Sequence, residues 1–186
     1  MQLEQLDLPG GGLLTVYLRD CVETMPLAME RPLVLVVPGG GYSHLSAREG
    51  DPVALQFAAA GYHTAVLRYA VGDDAAHGLP LRQLAAAIGL VRQHAAAWHV
   101  QPDKIAVCGF SAGGHLALSG AVLAVPGLPD PPRPDAVILG YPVITAGQYA
   151  HRDSFVQLAG EDPAAQQAFS LEDKITPRTP PVFVWH

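Results

Sequence analysis

The segment Ala106-Val107-Cys108-Gly109-Phe110-Ser111-Ala112-Gly113-Gly114-His115 limits the fold more than any other stretch of the chain. A short apolar run leads into Gly-x-Ser-x-Gly, and an alanine- and leucine-rich segment follows. This is the pattern of a strand, a sharp turn and a helix. A serine on such a turn is lifted clear of the sheet edge, with the next residue's amide at a helix N-terminus. Small residues are needed on both sides because strand and helix pass very close there. The competing reading is a glycine-rich turn whose serine merely caps the helix. The flanking strand and helix favour a nucleophile.

The rest of the chain fits a repeating strand–helix order. Strands are predicted at Leu13–Arg19, Leu33–Val37, Tyr62–Tyr69, Lys104–Gly109, Ala136–Tyr141 and Pro181–Trp185. The unbroken apolar run Leu33–Val37 is typical of a strand covered on both faces. Helices are predicted at Pro52–Ala60, stopped by Gly61, at Leu81–Trp98 with Leu84, Ile88 and Val91 on one face, and at Ala112–Val125. Val71–Leu79 reads as a loop, Pro126–Pro134 as a proline-rich connector, and the region after Tyr141 as irregular, with short helical pieces near Ser154–Leu158 and Pro163–Phe169. Strands alternating with helices at this spacing imply parallel crossover units in an open α/β sheet, with helices on both faces. Ligands in such sheets bind at the C-terminal strand ends.

Composition excludes several classes of function. The 186 residues suffice for one domain with a real core, and 49% hydrophobic against 15% charged residues argues against disorder. The net charge of -6 and the lack of a basic cluster argue against nucleic acid or an anionic membrane as partner. No run approaches ~18 apolar residues, so no membrane span is expected. Met1–Pro9, with Glu4 and Asp7, resembles neither a signal nor a transit peptide, and a cytoplasmic location is expected. Cys21 and Cys108 make no disulfide framework, and Cys108 is expected as a small buried core residue. There is no His-Glu-x-x-His, paired-cysteine site, calcium loop or Gly-Lys-Ser/Thr, so neither metal nor cofactor is expected.

Two Pro-Gly-Gly-Gly runs occur. Pro9–Gly12 precedes its strand, which in a parallel sheet is the edge away from Ser111, and it reads as a plain turn. Pro38–Gly41 follows Leu33–Val37 directly and therefore shares an edge with Ser111. The amides of Gly40 and Gly41, with that of Ala112, are candidates for an oxyanion hole. A dinucleotide fingerprint fails here because His44 stands where the third glycine belongs. Tyr42, His44 and His115 are candidates to line the pocket. His115, one helical turn beyond the serine, is expected to pack under the site rather than reach the serine oxygen.

A nucleophilic serine needs a base, usually histidine, oriented by a carboxylate, and on this kind of sheet the chain order is Ser, Asp or Glu, His. After Ser111 come His115, His151 and His186, with Asp153, Glu161, Asp162, Glu172 and Asp173. His151 lies in the irregular region, where it lines a pocket or is solvated. None of the acids falls where the order expects one. The earlier histidines, His63 among them, read as surface or loop residues.

These residues resemble the α/β-hydrolase superfamily, in the esterase branch of hormone-sensitive-lipase-like and carbohydrate acetyl-esterase-like proteins. Val37-Pro38-Gly39-Gly40-Gly41-Tyr42 is similar to that branch's oxyanion loop, with Pro38 where many relatives have His. Ser46–Gly50, Gly61–Tyr69 and the approach Trp98–Ile105 into Cys108–Leu116 resemble segments of xylan and acetyl-sugar esterase-like members. The resemblance runs from Leu33 to His186. It implies the α/β-hydrolase fold, Ser111 as nucleophile, and Gly40, Gly41 and Ala112 as oxyanion donors. It also implies a small-molecule ester as partner, and leaves a homo-oligomer open.

In such relatives the segment matching Pro180–His186 is followed by a loop with the catalytic Asp, a further strand and a loop with the catalytic His. The resemblance thus implies a single domain, 1–186, that is incomplete at its C-terminus, with the last strand–helix unit and both triad partners missing and Pro181–Trp185 left as an exposed edge strand. Three functions follow: a serine esterase for short acyl esters, acetyl sugars among them; an inert hydrolase-like binding domain; or a serine peptidase or amidase on the same fold.

Overall fold

The computed structural model describes residues 1–22, 24 and 29–186. The chain opens with a hairpin, β1 (Gln2–Leu8) and β2 (Gly12–Leu18), joined by a 3-10 turn at Pro9–Gly11. Then come β3 (Arg31–Val37), α1 (Asp51–Ala59), β4 (His63–Arg68), a 3-10 stretch at Gly72–Gly78, α2 (Leu79–Gln93), α3 (Ala95–Trp98) and β5 (Val100–Phe110). The elbow helix α4 (Ala112–Val122), β6 (Ala136–Gly140), α5 (Arg152–Ala159), α6 (Pro163–Ala168) and β7 (Val182–Trp185) complete it. The seven strands form one sheet in the order β1-β2-β4-β3-β5-β6-β7. β2 is antiparallel to both β1 and β4, and every other pair is parallel.

Both faces of the sheet are covered at β3, which is why that strand is apolar from Leu33 to Val37. Leu33, Leu35 and Val37 point into the larger core with Leu84, Ile88 and Val91 of α2 and Leu116 of α4. Val34 and Val36 point the other way, into a smaller cluster with Ala54 of α1, Val66 and Cys108. Helix α4 is buried from Ala112 to Ala121, so it has no polar face.

Several expectations need correction. β1 is not legible in the sequence, because Gln2, Glu4, Gln5 and Asp7 make it too polar to read as a strand; its pairing with β2 supplies the stability its own side chains do not. Pro9–Gly12 is a turn as expected, but at the other edge from the one expected. β2 runs antiparallel, so Leu13 sits opposite Arg68, at the C-terminal end of β4. The turn therefore shares the edge with Ser111 and lies three strands away from it laterally. The helix expected at Leu81–Trp98 breaks at His94, whose ring Nδ1–H donates to the Leu90 carbonyl (2.9 Å) and stacks on Trp98 at 4.6 Å. β5 begins at Val100, earlier than Lys104, and α4 ends at Val122, earlier than Val125. His63 is fully buried in β4: its Nδ1 accepts the Arg19 amide (3.0 Å) and its Nε2–H donates to the His99 carbonyl (3.2 Å). β7 is exposed along its whole length, with Phe183 65% and Trp185 57% accessible. Among the described residues, no helix is long and apolar enough to cross a membrane.

Candidate active site

The site begins with strand register. Val37 at the end of β3 sits opposite Gly109 of β5, so the two strands release their chains side by side. From β3 emerges Pro38-Gly39-Gly40-Gly41, and from β5 emerges Phe110-Ser111. The helix that follows Ser111 then packs back against the first of these loops. Gly113 is what permits this: a Cβ there would lie 2.2 Å from the Val37 oxygen and 2.4 Å from the Pro38 oxygen. Glycine is required by contact, not by backbone angle.

Ser111 has φ 51° and ψ -119°, a conformation that costs an L-residue about 1–3 kcal/mol. Three backbone hydrogen bonds hold it. Its N–H donates to Gly140 (3.0 Å), and its carbonyl accepts from His115 (3.1 Å) and Val143 (3.0 Å). The strained turn leaves the side chain on the wall of a cleft of about 600 Å³. Among the described residues, no hydrogen bond reaches Ser111 Oγ, and none uses the amides of Gly40, Gly41 or Ala112. The Gly39 amide, by contrast, is taken by Glu49 Oε2 (2.8 Å). Gly40 and Gly41 both have positive φ, +126° and +65°. The Gly40 carbonyl turns inward to accept from Ser43 (3.1 Å) and His44 (3.2 Å). Tyr69 Oη–H donates to the Pro38 carbonyl (2.7 Å) and anchors the loop from below.

Of the three residues expected to line the pocket, His44 does so. Tyr42 and His115 do not: each is 1% exposed and lies beneath the cleft. His115 Nε2 meets the Phe169 carbonyl at 2.8 Å and Nδ1 meets Tyr42 Oη at 2.7 Å. A carbonyl can only accept, so Nε2 carries the proton and Nδ1 accepts from the tyrosine. Burial lowers the His115 pKa from 6.5 to about 4, against the raising effect of the Phe169 carbonyl. The ring is thus neutral and fully occupied, and serves as a brace between α4, the glycine loop and the segment before Ser170.

Residues without an assigned role from the sequence also reach the cleft, Glu49, Tyr141, His151 and Asp153 among them. Tyr141 directly follows β6, a parallel strand, and the rule that ligands sit at C-terminal strand ends could have found it. His151 Nδ1 is 2.8 Å from Ser154 Oγ, and its Cε1 would come within 3.9 Å of a Cβ on Gly41. Its position was open from sequence because no periodic element surrounds it. Glu172, one of the acids considered, is instead a clamp: it accepts from Ser170 Oγ (2.6 Å) and Thr145 Oγ1 (2.8 Å). The Ser170 bond is the main reason its pKa is lowered. Among the described residues no three His, Cys, Asp or Glu side chains converge as a metal site.

A mostly parallel sheet with a strained serine elbow beside a glycine loop defines the α/β-hydrolase class. Comparison with known proteins narrows it. The BD-FAE family model matches residues 23–126, and the chain belongs to that family. It is 36% identical over 169 residues to endo-1,4-beta-xylanase B of Butyrivibrio fibrisolvens, a match covering 84% of this chain and 27% of that protein. It is 30% identical over 160 residues to an acetylxylan esterase of Xylanibacter ruminicola, covering 81% and 32%. Among solved structures, an acetyl ester-xyloside bifunctional hydrolase from Caldicellulosiruptor lactoaceticus superposes with a TM-score of 0.82 at 35% identity, over 96% of this chain and 66% of that one. The carboxylesterase Cest-2923 from Lactobacillus plantarum gives 0.81 at 32%, over 100% and 71%. The chain therefore spans about a third or less of the two sequence relatives' length and about two thirds of these structures.

Proposed function

We propose that this chain carries the nucleophile and oxyanion hole of a serine carboxylic-ester hydrolase acting on short acyl esters, acetyl groups on sugars in particular. The observation behind this is the set of three unpaired amides, from Gly40, Gly41 and Ala112, at the same sheet edge as the strained Ser111. Ser111 Oγ attacks the acyl carbon, and the carbonyl oxygen takes up negative charge against those amides. The alcohol leaves with a proton, and water then cleaves the acyl-serine through the same hole. One such donor contributes about 2.7–4 kcal/mol to comparable reactions. Arg48, Asp153 and Gln157 on the cleft wall offer hydrogen-bonding partners that suit a sugar better than a lipid. The xylanase and acetylxylan esterase among the relatives support a xylan-derived ester. The base and its orienting acid are proposed to come from chain outside these 186 residues, the domain here being the larger part of the hydrolase. The partner is the small ester itself, with no metal or cofactor required.

The test is turnover of an aryl acetate and of an acetylated xylo-oligosaccharide by the full-length protein, with and without Ser111→Ala. Hydrolysis abolished by the substitution supports the reading; no hydrolysis, or activity that survives it, overturns it. The free Ser111 Oγ favours a second reading, a cleft that binds without turnover. A fluorophosphonate probe separates the two, since stoichiometric labelling of Ser111 is incompatible with an inert site.

A further inference from the structure

Glu49 stands out because a buried carboxylate is costly and this one has no cationic partner among the described residues. It is 7% exposed, at the end of the 3-10 turn Ala47–Glu49. Its two oxygens accept from two different segments, the glycine loop and the residue that follows β6. Oε2 takes the Gly39 N–H at 2.8 Å, and Oε1 takes the Tyr141 O–H at 3.0 Å. Gly39 is wedged between this carboxylate and the elbow: a Cβ there would lie 2.8 Å from Oε2 and 3.0 Å from Ser111 Cβ.

Two consequences follow from hydrogen-bond chemistry. The Gly39 amide is turned away into the carboxylate, which orients the next two peptides so that the Gly40 and Gly41 amides are left unpaired. An ionised carboxylate can only accept, so the Tyr141 hydroxyl proton must point at it. The phenolic oxygen of Tyr141, a residue 38% exposed on the cleft wall, then has only lone pairs to offer a ligand.

We propose that Glu49 is a positioning residue for both halves of the reaction, and that through it Tyr141 selects esters whose alcohol part carries a free hydroxyl next to the acylated one. The assignment rests on the esterase reading above. It makes the cleft a recogniser of partly acetylated sugars, with Tyr141 accepting the neighbouring hydroxyl's hydrogen bond.

Glu49→Gln tests this by inverting polarity without changing size. The amide has one acceptor and one NH₂, so it cannot accept from both Gly39 and Tyr141. If its oxygen serves Gly39, its NH₂ faces Tyr141, whose hydroxyl must then donate into the cleft. The experiment measures kcat/KM of the full-length protein on a monoacetylated xyloside with a free neighbouring hydroxyl and on the same compound with that hydroxyl methylated. Wild type is expected to prefer the free hydroxyl by about tenfold, the worth of one hydrogen bond. Glu49→Gln should bring that ratio to about one and lower kcat on both compounds. A merely structural glutamate would lower both rates and leave the ratio unchanged, which overturns the proposal, as does a wild type with no preference. Circular dichroism establishes whether Glu49→Gln is folded. If it is not, Tyr141→Phe decides, since loss of the preference supports the proposal and its retention sinks it. An aryl acetate serves as control: if wild type cleaves neither the xylosides nor the aryl ester, the esterase reading itself has failed, and this assignment with it.

Discussion

Acid should destabilise this domain through two buried histidines, and His115 can be separated from the other. His115 is neutral in the fold, with its pKa lowered from 6.5 to about 4 by burial. His63 is lowered to about 4 as well, first by burial and further by Arg31, against its bond to the His99 carbonyl. For either, the unfolded chain binds a proton at a pH where the folded chain does not. Stability therefore falls as pH drops from about 6.5 to about 4, and the loss is complete below that. At about 1.4 kcal/mol per pH unit, His115 alone costs about 3 kcal/mol over the window. His115→Gln removes the titration. It should be less stable than wild type at pH 7, because Tyr42 Oη and the Phe169 carbonyl lose their partner, yet lose about 3 kcal/mol less on acidification to pH 4. Urea unfolding at pH 7, 5.5 and 4, followed by tryptophan fluorescence, measures this. His63→Gln should independently remove its own share, and the two should add because His63 lies in β4 and His115 in α4, with no hydrogen-bond partner in common. An acid dependence in His115→Gln equal to that of wild type would refute the reasoning.

Further outcomes follow from the contacts around the elbow. Gly113→Ala forces a Cβ to 2.2 Å from the Val37 oxygen. It should cost about 3 kcal/mol or more, read as a lower urea midpoint, because both neighbours are backbone. Tyr42→Phe leaves the His115 Nδ1 buried without a donor and should destabilise by about 1–3 kcal/mol in the same assay. Gly40→Ala meets the His44 oxygen at 2.1 Å at φ +126°. It should slow phosphonylation of Ser111 by about 10²–10³, measured by fluorophosphonate labelling. Phe183→Lys on the exposed strand β7 should reduce self-association of the 186-residue chain in sedimentation velocity, since charge blunts a free sheet edge.

Much of the site was legible because it is made of backbone. The Gly-x-Ser-x-Gly turn and the Pro38–Gly41 loop consist of residues chosen for what they lack, and an absent Cβ leaves a mark in the sequence wherever two chains must touch. The alternation that places β3 between two cores was legible for a similar reason: Leu33–Val37 has no polar position to spare. Side-chain partners were not legible. Glu49 and Tyr141 are 92 residues apart and share a hydrogen bond only because β3, β5 and β6 lie next to one another in register.

What the sequence determined by itself was the class of fold and the place of the serine turn and glycine loop within it, because local apolar runs, glycines and their order are sufficient for both. The tertiary structure decided the remainder. It turned β2 antiparallel and moved the first glycine turn to the opposite edge, buried Tyr42 beneath the cleft instead of along it, and brought Glu49 between the glycine loop and Tyr141. Each of these depends on which strands become neighbours. Pairing across tens of residues is set by the packing of the whole sheet, and no local pattern records it.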